Sequence, residues 1–315
     1  MQKHYDFSSN QIIFGIGAVE KIHKIVSDRN IRQVLIVTDK FMASSGLIDH
    51  VLVHLDKAGV GHKLFTEFEP NPTESDAENC GVRLVAGDYD AVLGFGGGSS
   101  IDVAKAASVL AHNSPPIKQY FGLDNVPKPG LTIIAIPTTS GTGSEATNIC
   151  VLRDAKANTK GGIVSPRIIP DVAIVDPMLT LTLPAGLTAT TGMDALCHAV
   201  EGFTSRKATP FSDLFHREAI RLVAANLRTA VNKGDDLEAR SSMSLAALMT
   251  GVGLVTSSAT CGHALSYSIE GNFHVSHGDS CAALLPSVAR FNAIAEMKKF
   301  KEIAILMGED VSQLT

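Results

Sequence analysis

Between residues 33 and 176 the sequence alternates short apolar runs with helix-like stretches, and beyond Leu187 the strand-like runs give way to helical patterning. That switch constrains the fold more than any other feature. QVLIVTD (33–39), HKLFTEF (62–68), YDAVLGF (89–95), LTIIAIP (131–137) and DVAIVD (171–176) are short and apolar. They read as strands of a parallel sheet covered on both faces. Helix-like segments at 42–58, 75–87 and 101–112 separate several of them, which predicts an α/β unit with a mainly parallel sheet. The segment 148–168, rich in Asn, Lys, Gly and Arg, reads as a hairpin or loop before the last strand. From Leu187 onward the chain reads as helix after helix; PFSDLFHREAIRLVAANLRTAV (210–231) spaces its apolar residues at helical intervals. The expected organisation is an α/β domain over 1–182 and an all-α domain over 183–315, with the boundary near Leu181–Pro184. The closing VSQLT carries no terminating signal, so the reading is of a chain truncated at its C-terminus.

A length of 315 residues exceeds one ordinary core and suits two domains. With 45% apolar and 19% charged residues, the chain can bury a sizeable core and is not a disordered one. A net charge of -5 without any Lys/Arg cluster argues against a nucleic-acid partner. The five cysteines, an odd number with no CxxC pair, fit neither a disulfide framework nor a zinc ribbon. Reduced thiols in the cytoplasm are the expectation. MQKHYDFSSN lacks the basic and apolar regions of a signal peptide. The most apolar long stretch, SLAALMTGVGLVTSSA (244–259), is too short for a membrane span and reads as a buried helix.

The strongest local motif is YDAVLGFGGGSSIDVAKAASVLA (89–111), where a strand runs into Gly96, Gly97, Gly98 and Ser99 before a helix begins. Glycines let backbone N–H groups approach a phosphate, and a helix N-terminus adds free donors and partial positive charge. No GK[ST] follows, so this is not a Walker A loop. A tight turn needs fewer glycines, which favours a pyrophosphate ligand. FGIGAVEKI (14–22) contains GxG but has no strong strand before it and reads as a turn. IPTTSGTGSEAT (136–147) follows a strand; its hydroxyls suit a diphosphate or ribose, and an ordinary Ser/Thr/Gly loop explains them equally well. Asp39 ends a strand, where a carboxylate can accept from a ribose diol and repel a 2′-phosphate, favouring NAD over NADP. Taken alone, Asp39 as a helix N-cap is the stronger reading.

In TTGMDALCHAVEGF (190–203), Asp194 and His198 stand at i and i+4 and share a helix face. CGHALSYSIEGNFHVSHGD (261–279) adds His263, His274 and His277. A carboxylate with three imidazoles suits Fe²⁺ or Zn²⁺ without a thiolate. Most single histidines are surface or satisfied core residues, and spacing alone leaves the metal and structural readings evenly matched. Cys197 should point away from the face carrying Asp194 and His198.

Together, GGGSSIDVAK (96–105), IPTTSGTGSE (136–145), VDP (175–177), GMDALCHAVE (192–201) and GHALSYSIEGNFHVSHG (262–278), in that order, resemble the iron-containing (group III) alcohol dehydrogenase family. The resemblance runs from the FGIGA segment to near Asn292. It implies the dehydroquinate-synthase-like, iron-type fold: an N-terminal α/β nucleotide-binding domain, an all-α metal- and substrate-binding domain, and a metal in the cleft between them. It also implies several tens of further residues in most members. The family's metal ligands fall on Asp194, His198, His263 and His277. Its cofactor contacts fall on Asp39, Asn71, Gly97, Gly98, Ser99, Thr138, Thr139, Thr142 and Lys160. Many members carry a second His four residues after the third ligand; here Tyr267 stands there. Ser268 replaces the usual Pro, and Glu270 is an unusual charge. These departures bear on substrate choice more than on fold.

The resemblance implies a metal-dependent NAD(H) alcohol dehydrogenase or aldehyde reductase for a small primary alcohol or diol, with Fe²⁺ ahead of Zn²⁺ as the ion. No catalytic side chain beyond the metal site is required. A homo-oligomer is expected, with neither nucleic acid nor membrane as partner. The alternatives are a glycerol-dehydrogenase-like enzyme, a dehydroquinate-synthase-like lyase using zinc and NAD, and a non-catalytic scaffold of the same fold. The GMDALCHAVE ligand pair favours the iron type over the synthase, and a complete ligand set argues against a scaffold.

Overall fold

The computed structural model describes residues 5, 7–156, 159–273 and 275–312. The strands are β1 (Gln11–Phe14), β2 (Gln33–Val37), β3 (Gly61–Phe65), β4 (Ala91–Gly96), β5 (Gly122–Leu123), β6 (Thr132–Pro137), β7 (Ile149–Asp154), β8 (Thr159–Val164) and β9 (Val172–Val175). The helices are α1 (Ile22–Asp28), α2 (Lys40–Ser44), α3 (Asp49–Lys57), α4 (Glu74–Ala86), α5 (Gly98–His112), α6 (Ala185–Thr204), α7 (Pro210–Asn232), α8 (Leu237–Leu254), α9 (Cys261–Phe273) and α10 (His277–Leu306). The chain forms two compact units. One comprises 10–138 and 144–179, the other 1–9, 139–143 and 180–315.

The first unit is built on a six-stranded sheet in the order β1-β9-β6-β4-β2-β3, with parallel pairing throughout. Strand periodicity sends alternate side chains to opposite faces. Val34, Ile36, Leu93, Phe95, Ile134 and Ile174 pack with Ile22 and Val26 of α1 and Val51 and Leu55 of α3. Leu35, Val37, Val92 and Ile133 pack with Leu84 of α4 and Val103, Ala104 and Ala107 of α5. Helices therefore cover both faces, which is why these strands are apolar runs rather than alternating ones. After β2 the chain moves outward to β3 and then returns to the other side of β2 for β4. The strand order reverses between β2 and β4, the position where open α/β sheets bind ligands at their carboxyl ends.

Three local features differ from the sequence reading or sharpen it. The helix expected over 42–58 is two helices, α2 and α3, because Gly46 adopts a left-handed φ of 80° between them. FGIGA does follow a strand, β1; it is four residues long, lies at the sheet edge and is largely exposed, so its hydrophobic signal is weak. The 148–168 segment is a hairpin: β7 and β8 pair antiparallel, and with β5 they form a separate three-stranded sheet.

The second unit is helical. Ala195, Ala199 and Phe203 of α6 pack with Ala219, Ile220 and Val223 of α7, Met243, Ala246 and Ala247 of α8, and Ile303 of α10. The apolar stretch around 244–259 supplies much of α8 and is buried there. No described helix is long and apolar enough to cross a membrane. The long α10 is kinked at Glu296, whose backbone is non-helical.

Candidate metal centre and cofactor loop

Asp194, His198 and Glu201 lie at i, i+4 and i+7 along α6 and so occupy one face. His263 stands in the first turn of α9, and His277 is the first residue of α10. Two glycines allow these helix starts to press on α6. A Cβ at Gly262 would sit 2.4 Å from Glu201 Oε1, and one at Gly278 would sit 2.2 Å from the Thr190 carbonyl oxygen. Thr190 Oγ1 also donates to Asp279 Oδ1 at 3.0 Å, and Ser276 Oγ caps α10 by accepting from the Asp279 N–H at 3.3 Å.

The result is one cluster. Asp194 Oδ1 lies 3.5 Å from His198 Nδ1, 3.6 Å from His263 Nε2 and 3.6 Å from His277 Nε2. One ligand atom from each of the four residues falls within 4.8 Å of every other. A tetrahedral ion with N/O ligands at about 2.1 Å sets those atoms about 3.4 Å apart, so the spacing fits one divalent ion. The hydrogen-bond pattern agrees: Asp194 Oδ1, His198 Nδ1 and His263 Nε2 are buried and have no hydrogen-bond partner among the described residues. Three orphaned polar atoms converging on one point are costly unless a cation joins them. The side chain of His277 is 26% exposed, so the cluster opens to the surface on that side.

Two further carboxylates hold the imidazoles from behind. Glu201 Oε1 is 2.7 Å from His263 Nδ1, while Glu201 Oε2 accepts from Thr260 N and Oγ1, both at 2.6 Å. Glu270 Oε1 is 2.6 Å from His277 Nδ1. With the proton on Nδ1, each Nε2 presents a lone pair toward Asp194. The electrostatics follow from this crowding. Burial opposes ionisation of Asp194, but His198, His263 and His277 hold its carboxyl well below the usual range. Burial, with the His263 charge, pushes His198 down to about 4, so it is a neutral ligand at pH 7. His277 is raised to about 10: burial opposes this, but Cys281, Glu270 and Asp194 outweigh it. Three carboxylates around three imidazoles draw positive charge to the centre, whether as protons or as a dication.

The structure thus brings together all four predicted metal residues. His274 lies outside the described residues. Sequence reasoning missed Glu201 as a partner, although its i+7 spacing from Asp194 was available, and it noted Glu270 only as an unusual charge bearing on substrate choice. It also passed over Cys281, one turn beyond His277, whose Sγ lies 3.9 Å from both His277 ring nitrogens. Tyr267 stacks on His277 with ring centroids 6.0 Å apart.

In the α/β unit, Asp39, Gly97, Gly98, Ser99 and Thr138 follow the carboxyl ends of the adjacent strands β2, β4 and β6. Thr138 N donates to Gly96 O at 3.0 Å, and a Cβ on Gly96 would lie 3.8 Å from Asp39 Oδ2. Gly96 has φ 140°, a turn that favours glycine. The N-cap residue of α5, Gly97, makes no side-chain cap, an arrangement that suits an anion at the first N–H groups of the helix. Asp39 does cap α2, accepting from Met42 N at 2.8 Å through Oδ1. Lys160 lies in β8, the middle strand of the small sheet, and its charge acts on Asp102 of α5; Asn71 precedes Pro72, whose carbonyl accepts from Arg153 N of β7 at 2.8 Å. Arg153 pairs with Lys160 across the hairpin and bridges to Thr73. Thr139 and Thr142 belong to the 139–143 loop of the helical unit, where Ser140 Oγ meets Ser244 Oγ at 3.0 Å.

Below the Gly-rich loop, α5 is anchored by the buried Lys105 and the half-buried Asp102. Lys105 Nζ donates to Thr147 O and Oγ1, both at 3.0 Å, and to Ile149 O at 2.8 Å. Asp102 accepts from Ser144 Oγ at 2.6 Å and Val151 N at 2.9 Å.

The sequence profile of the iron-containing alcohol dehydrogenases matches residues 9–177, and that of the family's C-terminal region matches 188–314. The chain belongs to the iron-containing alcohol dehydrogenase family. Among its relatives, the NAD-dependent methanol dehydrogenase of Bacillus methanolicus is 38% identical over 96% of this chain and 80% of its own length. A crystal structure of 1,3-propanediol oxidoreductase superposes with a TM-score of 0.96 at 37% identity, covering 99% of this chain and 82% of that one. The sulfoacetaldehyde reductase of Bifidobacterium kashiwanohense, solved in complex with NAD+, superposes with a TM-score of 0.86 at 32% identity, covering 98% of this chain and 87% of that one. As a member of the iron-containing family, the chain is a metal-dependent, NAD-dependent alcohol dehydrogenase.

Proposed function

We propose that this dehydrogenase interconverts a small primary alcohol or diol with its aldehyde. In this reading Asp194, His198, His263 and His277 hold the metal. Asp39, Asn71, Gly97, Gly98, Ser99, Thr138, Thr139, Thr142 and Lys160 hold NAD. Residues 1–182 act as the cofactor domain and 183–315 as the metal and substrate domain. The observation that carries it is the set of buried, partnerless atoms on Asp194, His198 and His263. A divalent ion there supplies Lewis acidity toward the substrate oxygen, and NAD supplies the hydride exchange. The chain's own residues orient and neutralise. Glu201 and Glu270 keep the Nδ1 protons of His263 and His277 in place, leaving each Nε2 free to coordinate. The uncapped N-terminus of α5 binds the pyrophosphate through backbone N–H groups. Asp39 Oδ2, facing the Gly96 turn, accepts from the ribose diol.

Propanediol and methanol dehydrogenases among the relatives support a small substrate. A cytoplasmic homo-oligomer completes the reading, supported by five free cysteines and by the exposed Ile12, Phe14 and Ile16 at and beside the β1 edge strand. The test is NAD(H)-linked turnover of a panel of short aldehydes, alcohols and diols after anaerobic loading with Fe²⁺ or Zn²⁺. Reduction of short aldehydes with NADH, abolished by chelation, is expected. Full activity in verified metal-free protein would sink the metal reading. Phosphate elimination from a sugar acid without aldehyde reduction would replace it with the synthase chemistry.

A further inference from the structure

We propose that Glu270 is a positioning residue of the metal centre: its carboxylate accepts the Nδ1 proton of His277 and so presents His277 Nε2 to the ion. The inference deepens the metal reading above and rests on it. Glu270 lies in the last turn of α9, and His277 opens α10, so one hydrogen bond of 2.6 Å spans the break between the two helices. The carboxylate is buried, and Ser266 Oγ lies 3.2 Å from the same Oε1 while reaching the His263 carbonyl oxygen at 2.8 Å. On the other end of the His277 ring, Nε2 faces Asp194 Oδ1 at 3.6 Å. Tyr267 stacks on the ring face. Glu270 thus holds Nδ1 at 2.6 Å, Tyr267 covers one face and Cys281 Sγ stands 3.9 Å from both ring nitrogens, while Nε2 is directed at the cluster.

The arrangement repeats, on a different helix pair, what Glu201 does for His263. A helix tie alone would not need a buried carboxylate, since burying a charge is costly without compensating charge nearby. Beside a dication that cost is offset, and a carboxylate behind an imidazole raises the basicity of its ligating nitrogen. Glu270 thus carries two separable functions, an acceptor that fixes the tautomer and a charge that tightens the ion.

The test compares wild type, Glu270→Gln, Glu270→Ala and His263→Ala as full-length protein. Zn²⁺ and Co²⁺ dissociation constants are measured by chelator competition, and visible d–d spectra are recorded for the Co²⁺ forms. Glu270→Ala should weaken both metals by about 10–100-fold and shift the cobalt bands. Glu270→Gln keeps an acceptor without the charge and should fall between that variant and wild type. Wild-type affinity and an unchanged cobalt spectrum in folded Glu270→Ala would overturn the role of Glu270. Should the alanine variant fail to fold, unchanged affinity and spectrum in the isosteric Glu270→Gln would overturn it equally. If wild type itself binds no stoichiometric ion, or His263→Ala binds it equally well, the underlying metal reading fails instead.

Discussion

His216 shows how one buried side chain couples stability to pH. It is fully buried on α7, its Nε2 lies 2.9 Å from Ser257 Oγ, and its Nδ1 has no hydrogen-bond partner among the described residues. Its ring fills the space left by two glycines: a Cβ at Gly202 or Gly253 would come within 2.3 or 2.6 Å of it. Lys299 on α10 disfavours a proton on it, and so does His198 on α6 once that ring is itself protonated. Burial, with these charges, pushes its pKa down to about 3. The folded state therefore resists a proton that the unfolded chain takes up near 6.5. Stability from this group is complete above 6.5 and is lost as pH falls from there toward 3, at about 1.4 kcal/mol per pH unit. Urea unfolding of metal-free wild type and His216→Gln at pH 7.5 and 5 checks this. The variant should lose about 2 kcal/mol less than wild type over that interval; equal losses would remove His216 as the source.

At the scale of elements, the junction of β2 and α2 gives Asp39 two tasks that a substitution can separate. Its Oδ1 caps α2, and its Oδ2 faces the Gly96 turn. Glycine is a tolerable N-cap, costing only a few tenths of a kcal/mol relative to Asp. Asp39→Gly should therefore leave the melting temperature nearly unchanged while relaxing a preference for NAD(H) toward NADP(H), read as the ratio of kcat/KM for the two cofactors. A wild type that already prefers NADP(H) would overturn the ribose role. The same junction shows how far the sequence reached. The N-cap and the ribose contact were both open from the strand-end position, and only the N-cap is visible as a contact. The central strands were legible because burial on both faces makes them continuous apolar runs. β1 was not, because an exposed edge strand carries no such signal. Asp194 and His198 were legible as an i, i+4 pair on one helix. The convergence of His263 and His277 was not, since a helix end and a new helix start lie between them and no periodicity spans that break. It took the resemblance to choose His277. The buried Lys105 and His216 had no sequence signature, because a polar residue within a helix ordinarily faces water.

At the scale of the whole molecule, the proposed metal ligands and the proposed phosphate loop before α5 belong to different units, and this predicts how binding redistributes stability. An ion held by the four clustered residues would join three helices, α6, α9 and α10, across a sequence separation of as many as 83 residues (277 − 194). An unfolded chain cannot assemble that set, so binding is coupled to folding of the helical unit. At free metal a hundredfold above the dissociation constant, the linkage amounts to about 2.7 kcal/mol. Zn²⁺ titration should therefore raise the thermal transition and slow hydrogen exchange chiefly along α6, α9 and the start of α10. Exchange in the β2 and β4 strands of the other unit should change less. NAD should also stabilise, but chiefly in the other unit, protecting the β4–α5 turn. His263→Ala should abolish the metal-induced shift while leaving the NAD-induced one. Calorimetry with peptide-resolved hydrogen exchange reads both. An equal zinc-induced shift in His263→Ala would mean that the ion binds elsewhere, and the orphaned atoms around Asp194 would then need another partner.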